Sequence, residues 1–518
     1  MKQHKKIYFA AGAATLLISA FLLAGCSSNS SSNNADNTAN KNFEVATVRW
    51  SDWGTTFQNY PNELAKNAGI TIKWDTYLNA NWPDKSATVL ASGKLPDAFI
   101  GSNAFTDQQI SQNQADFIPL NKYINSTDMP NLTKLLKEQP QLKSMITNPD
   151  GKIYSLPKTS PMRPTVANQL FINKKWLDQL GLQMPTTYDE FVNVLEQFKA
   201  KIPGAVPYAP SGNVDPTFSY LLPFGVRDGA PGTNDVSIES GKVVWNYNTD
   251  NYKTGIAAMH DAYTKGLIDS GTYTENTTQM QNKTLAKNET VGVSAGWTAD
   301  AVFGANAKDY AALPPLKGPD GKAYVMSDPE HYNESRNEVL VTTHAKNVKA
   351  MMKWLDSFYT EDAAIQNFYG QFGVGTQKTS DGYTVLKPTG SNSSDTQAWI
   401  NSLRDFGPKA WNSVENSKVT YQDTTNGDAV KLQMDAQYKK YALPAYPNVT
   451  YSSDELKTLS TISTQLTSYA TQQEALWVTK GGVDSDWSAY QKKLKDMGLD
   501  KFMKIQQDAY NRYKKSLK

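Results

Sequence analysis

Three short polar segments hold the residues best suited to gripping a solute rich in hydroxyls: Ser51-Asp52-Trp53-Gly54, Asn79-Ala80-Asn81-Trp82-Pro83-Asp84 and Ser102-Asn103. An indole face stacks on the apolar face of a pyranose ring, while Asn, Asp and Ser exchange hydrogen bonds with its hydroxyls. Apolar walls with a few placed polar groups are the general makeup of a small-ligand cleft. Trp53, Asn81, Trp82, Asp84, Ser102 and Asn103 are therefore candidate ligand contacts. The competing role for both indoles is packing in a core. Their place in loops, where binding residues concentrate, favours the ligand role.

Bond-making chemistry has no comparable signature. The chain contains no G-x-S-x-G, no H-E-x-x-H and no Walker-type loop. Beyond residue 25 the histidines are His260, His331 and His344, and none is spaced as a metal-ligand pair. Carboxylates are plentiful, so a glycosidase-like acid pair stays open as a lesser alternative, although Glu361-Asp362 reads as the start of a helix. The expectation is binding without catalysis and without a cofactor.

The three segments follow strands in a βαβαβ pattern. Strands are expected at 43–50, 70–77 and 95–101, with a helix running to Ala68 before Gly69. A second helix at 85–92 has Asp84 as its N-cap and Gly93 as its stop. Open α/β sheets bind ligands beyond the carboxyl ends of their strands, which places all three segments on one side. Further on, 347–359 spaces Met351, Trp354, Leu355 and Phe358 along one helical face. The C-terminal 484–515 does the same with Trp487, Tyr490, Leu494, Phe502 and Ala509. These are core positions. Between 376 and 428 the pattern fades, and Trp399 and Trp411 find no assignment.

With 518 residues the chain is too long for one core, so two or more lobes are expected. Residues 1–25 read as an export leader: Lys2, Lys5 and Lys6, then a short apolar run ending Leu23-Ala24-Gly25-Cys26. That ending resembles a lipobox, making Cys26, the sole cysteine, the expected lipid-attachment site. Residues 26–42 are a Ser/Asn-rich tether with too little apolar surface to fold. The formal charge is +2, and loss of the three leader lysines leaves −1. Such a balance argues against nucleic acid as partner.

Residues 150–200 show the chain leaving one lobe for another. A strand at 153–156 is closed by Pro157, and a polar connector holds Arg163. A strand at 169–172 leads to a helix at 174–180 that Gly181 caps, and Asp189 and Glu190 open the next helix. Arg163 fits either a bond to sugar hydroxyls or a uronate, or a structural ion pair. Gly151-Lys152-Ile153-Tyr154-Ser155-Leu156-Pro157 and Trp176-Leu177-Asp178-Gln179-Leu180-Gly181 resemble recurrent motifs of bacterial extracellular solute-binding protein family 1. That family comprises binding components of ABC sugar importers, and the similarity is greatest to its LplA-like, oligosaccharide-handling branch. The resemblance runs from about residue 43 to the C-terminus.

That resemblance implies an α/β fold, the two-lobe type II periplasmic-binding-protein fold with a multi-segment hinge. The expected first lobe is 43–157 plus about 337–395, and the second is 158–336 plus about 396–518. It implies a ligand-facing aromatic at Trp297, after the strand at 291–295, with Tyr332, Asn333 and Arg336 as further cleft contacts and Glu338 as structural. Many relatives carry a calcium loop where this chain has 201–212, but the required Asp/Asn spacing is missing here, so no metal is expected there. The implied protein is a monomer, lipid-anchored outside the cell membrane, that delivers an oligosaccharide to a permease. The alternatives are a peptide or uronate ligand, or a lipid-anchored carbohydrate-active enzyme.

Overall fold

The computed structural model describes residues 40–517 apart from 102–103, 163, 167, 213–214, 227–234, 326, 328–333, 391–392 and 426. Cys26, Ser102, Asn103, Arg163, Tyr332 and Asn333 lie outside the described residues. The strands in chain order are β1 (Asn42–Arg49), β2 (Thr71–Leu78), β3 (Ala98–Ile100), β4 (Ser155–Thr159), β5 (Gln169–Asn173), β6 (Val206–Tyr208), β7 (Val236–Glu239), β8 (Lys242–Trp245), β9 (Val291–Gly296), β10 (Tyr310–Ala312), β11 (Glu334–Val341), β12 (Thr376–Lys378), β13 (Tyr383–Val385) and β14 (Val419–Tyr421).

Two sheets carry two separate cores. The first has the order β2-β1-β3-β11-β4, with β1 parallel to both β2 and β3 and β11 antiparallel to β3 and β4. Helices cover both of its faces, so β1 is a nearly continuous buried run, as expected of a central parallel strand. Phe43, Val45, Ile100 and Val339 pack on one face against Trp354 and Phe358. Val48, Phe99 and Leu340 pack on the other against Trp82 and Phe105. The strand expected to stop at Pro157 continues to Thr159. β4 is an edge strand, and an edge tolerates the missing donor.

The second sheet has the order β10-β5-β9-β6. Its core takes in Ile172, Trp176, Phe198, Tyr252 and Val293, together with Trp477, Tyr490 and Phe502 from the terminal helices Ser453–Lys480, Val483–Asp496 and Leu499–Ser516. Local signals set the helix ends. Thr187 and Glu190 form a capping box, and Gly181 adopts φ 65° to close the preceding helix. None of the described helices is long and apolar enough to cross a membrane.

The chain passes between the sheets on the way from β4 to β5 and from β10 to β11, and again near the start of the helix Gly427–Tyr438. That helix carries a polar ladder on one face, spaced three or four residues apart. Asp428 accepts from Tyr369 Oη (2.9 Å) and from Arg404 Nη2 (2.8 Å) on the first-lobe side. Lys431 Nζ lies 4.4 Å from the Trp297 ring centroid. Asp435 accepts from the Val166 amide (2.8 Å) and Tyr438 Oη donates to Leu313 O (3.0 Å), both on crossing segments. The first lobe extends later than 395, because Leu403 and Ala410 belong to its core.

The second core also encloses Glu474, which accepts from Thr217 Oγ1 (2.7 Å) and Tyr252 Oη (2.8 Å). Burial, then Asp215, pushes its carboxyl up to about 8. A carboxyl raised on folding binds its proton more tightly in the native state, so its stabilising contribution is complete below about pH 4.5 and is lost as pH rises through about 8. Tm should fall between pH 5 and 8, by the equivalent of a few kcal/mol at order of magnitude, and Glu474→Gln should flatten that slope. Thermal melts across this range would contradict the assignment if wild type and variant ran in parallel.

Candidate functional site

In the first sheet β1 lies between β2 and β3, so the chain order reverses beside it and the carboxyl ends of β1 and β3 flank a switch point. Aromatic side chains gather there. Trp53 stacks on Trp399 with centroids 5.2 Å apart and planes at 25°. Trp399 meets Phe406 edge-on at 5.3 Å, and Trp50 lies 5.8 Å from Phe406. Trp50 is 52% exposed, Trp53 and Trp399 are half-buried, and Phe406 is buried beneath them. Offset-stacked and edge-on pairs are the favoured geometries for such rings. Together they form an indole platform open to solvent.

Arg49, the last residue of β1, lies below. Its Cζ is 3.8 Å from the Phe57 centroid and 5.8 Å from that of Trp53, and its Nη atoms donate to Trp399 O and Ser402 O. Burial lowers its guanidinium to about 10, partly opposed by Asp52. The helix Ser394–Asn401 presents Trp399. At the end of the second lobe's β9, half-buried Trp297 rests over Lys431. The two lobes' indoles are linked through side chains. Lys431 shares the ladder helix with Asp428, and Arg404 joins Asp428 to Asp395, one helical turn before Trp399.

The other expected contacts do not join this group. Trp82 is 4% exposed, packs with Tyr77, Phe99 and Phe105, and donates its Nε1 to Ala104 O. Its place is the lobe core rather than a ligand surface. The helix begins at Trp82 itself with Pro83 in its first turn, so Asn81 is the N-cap and Asp84 a first-turn residue instead of the cap. Both are exposed. Arg336 is committed to Asp107, which also accepts from Asn337 Nδ2 (2.7 Å). A register shift in β11 and the left-handed Asn337 (φ 63°) aim this pair at Asp107. They line a cavity of about 100 Å³ with Tyr451 and Ser453, where Ser111 Oγ meets Ser453 Oγ at 2.9 Å. Arg336 thus sits at a lobe-to-lobe contact.

Sequence reasoning missed Trp50, Trp399 and Phe406. Trp50 ends a strand pattern and Trp399 lies where periodicity is weak. The usable signal was local: Ser393 caps a helix carrying Trp399, and the Gly407-Pro408 turn follows Phe406. Among the described residues no cluster of three or more His, Cys, Asp or Glu could hold a metal ion.

The model for "Bacterial extracellular solute-binding protein" matches residues 49–365. This chain belongs to that family. It is 30% identical over 489 residues, 88% of each chain, to the fructooligosaccharide ABC transporter substrate-binding protein FusA of Streptococcus pneumoniae. It is 26% identical over 336 residues to the polygalacturonan/rhamnogalacturonan-binding protein YtcQ of Bacillus subtilis, covering 62% of this chain and 63% of that one. The structure of FusA with kestose aligns with a TM-score of 0.78 at 26% identity, covering 92% of this chain and 99% of that one. An HMO-binding, ABC-transporter-associated solute-binding protein of Bifidobacterium longum infantis aligns at 0.77, also with 26% identity and the same coverage. The two-lobe α/β fold is that of these solute-binding proteins.

The contrast between the two first-lobe indoles is measurable. Trp82→Ala should cost about 3–5 kcal/mol of stability, the usual range for emptying a buried Trp site. Trp53→Ala should cost about 1 kcal/mol or less. Urea unfolding that ranks them the other way would contradict this placement.

Proposed function

We propose that this chain is the substrate-binding component of an ABC importer and captures a neutral oligosaccharide on the Trp50–Trp53–Trp399–Phe406 platform. The observation that carries the reading is the stacked, half-exposed pair Trp53–Trp399 at the carboxyl end of β1. Stacked indoles offer flat apolar area of the kind a pyranose or furanose face covers. Trp297 supplies a ring from the other lobe. Two of the named relatives, the fructooligosaccharide transporter protein FusA and the HMO-binding protein, support an oligosaccharide ligand, while the third, YtcQ, binds polygalacturonan and rhamnogalacturonan. Four buried cations around the platform's segment are already engaged, Arg49, Lys158 and Lys409 with backbone carbonyls and Arg404 with Asp395 and Asp428, which favours a neutral sugar over a uronate. Binding leaves the sugar intact, and a permease receives it.

The finer placement follows from the N-terminus. A leader ending Leu23-Ala24-Gly25-Cys26 and a Ser/Asn-rich tether suit a monomer held by lipid on Cys26 at the outer face of the membrane. A hinge would let the lobes close on the ligand and present a form the permease recognises.

Calorimetry with kestose and other neutral oligosaccharides tests this. The account expects saturable binding with the sugar recovered uncleaved. Trp399→Ala and Trp53→Ala should each weaken binding about tenfold or more, within the range of interface hot spots. Cys26→Ser should release the protein from the membrane fraction. Wild-type affinity in both Trp variants, or turnover of the sugar, would refute the reading.

A further inference from the structure

The platform depends on a segment whose backbone carbonyls point inward. The carbonyls of Trp399, Ser402, Asp405, Phe406 and Gly407 meet three buried cations of the first lobe. Arg49 Nη2 donates to Trp399 O and its Nη1 to Ser402 O (3.4 Å). Lys158 Nζ donates to Asp405 O. Lys409 Nζ donates to Phe406 O (2.6 Å) and Gly407 O (2.9 Å). The three are 1%, 2% and 0% exposed. Glu338 supplies a carboxylate, 3.1 Å from Lys158 Nζ, and also accepts from the Gly407 amide (2.9 Å). Glu338 is the carboxylate in direct contact, Asp52 and Asp405 act at longer range on Arg49 and Lys409, and the carbonyl dipoles supply the direct hydrogen bonds. Lys409 bears the strain: burial, and then Lys158, pushes its ammonium down to about 7.

Buried charges are tolerated only when paired or well hydrogen-bonded, and charge-assisted bonds are stronger than neutral ones. A loop held this way has little freedom to turn its carbonyls outward. Arg49 comes from β1 and Lys158 from β4, while Lys409 pairs with Lys158 through a backbone bridge. The clamp therefore ties the segment to both the middle and the edge of the sheet.

We propose that Arg49, Lys158 and Lys409 are positioning residues of the sugar site. By drawing in the carbonyls of residues 399–407, they set Phe406 as a floor and present Trp399 to Trp53. The role in sugar binding rests on the reading of the platform given above.

The test uses the mature protein and the exciton couplet of the stacked indoles in circular dichroism, defined as the signal lost in Trp53→Phe. Lys409→Met keeps the side chain's length and removes its donors. The expected result is a cooperatively folded variant with at least half the couplet gone and at least tenfold weaker affinity for kestose. Arg49→Lys, which keeps the charge but not the paired donors, should show a smaller loss of both. It also decides the matter should Lys409→Met not fold. Folded variants with a wild-type couplet would overturn the proposal. A lost couplet with unchanged kestose affinity would instead remove the sugar from the platform while leaving the clamp in place. If wild type does not bind kestose, the couplet alone judges the clamp.

Discussion

An aromatic surface that faces water cannot hold itself in place. Indoles gain most by burial, so a platform of exposed rings tends to collapse inward unless the backbone beneath is fixed. Here the fixing element is a set of carbonyls turned toward buried cations. Arg49, Lys158 and Lys409 satisfy five of them, and Glu338 holds Gly407 from the other side. The cost of burying those charges is tied to a geometry in which Trp53 and Trp399 stay stacked at the surface. Removing one partner would leave uncompensated polar groups inside the lobe, which is the costly way to break such a network.

The two lobes are packed around separate cores. Each has its own sheet and its own core, and the terminal helices belong to the second. What joins them is polar as well as apolar: Leu432 of the ladder helix packs against the cluster of Phe368 and Trp411, and Met434 against that of Phe171 and Val291. The ladder helix contacts both crossing segments and both lobes through Asp428, Lys431, Asp435 and Tyr438. On the far side, Ser111 meets Ser453 near the Arg336–Asp107 pair. Polar contacts of this kind exchange with water at modest net cost, as the hinge motion proposed above would require. The apolar cores need not be disturbed for the lobes to move.

Much of this arrangement was legible in the sequence, for reasons that can be named. The βαβαβ start was readable because β1 is apolar on both faces and its helices end at glycines with positive φ, such as Gly69 and Gly93. The terminal helices were readable from the spacing of Trp487, Tyr490 and Leu494. The site was less legible. Trp82 looked like a loop residue but starts a helix, and that half-turn rotates its ring into the core. Arg336 looked available, yet a bulge in β11 delivers it to Asp107. Trp399 joins Trp53 only through contacts more than three hundred residues apart in sequence, which no local pattern encodes.

The most direct measurement is a crystal structure of the protein with a bound neutral oligosaccharide. The account predicts a sugar ring lying on the Trp53–Trp399 pair, with Trp297 closing from the other lobe and the carbonyls of residues 399–407 still turned to Arg49, Lys158 and Lys409. A sugar seated elsewhere, for example in the cavity beside Arg336 and Tyr451, with the indole pair bare, would contradict it.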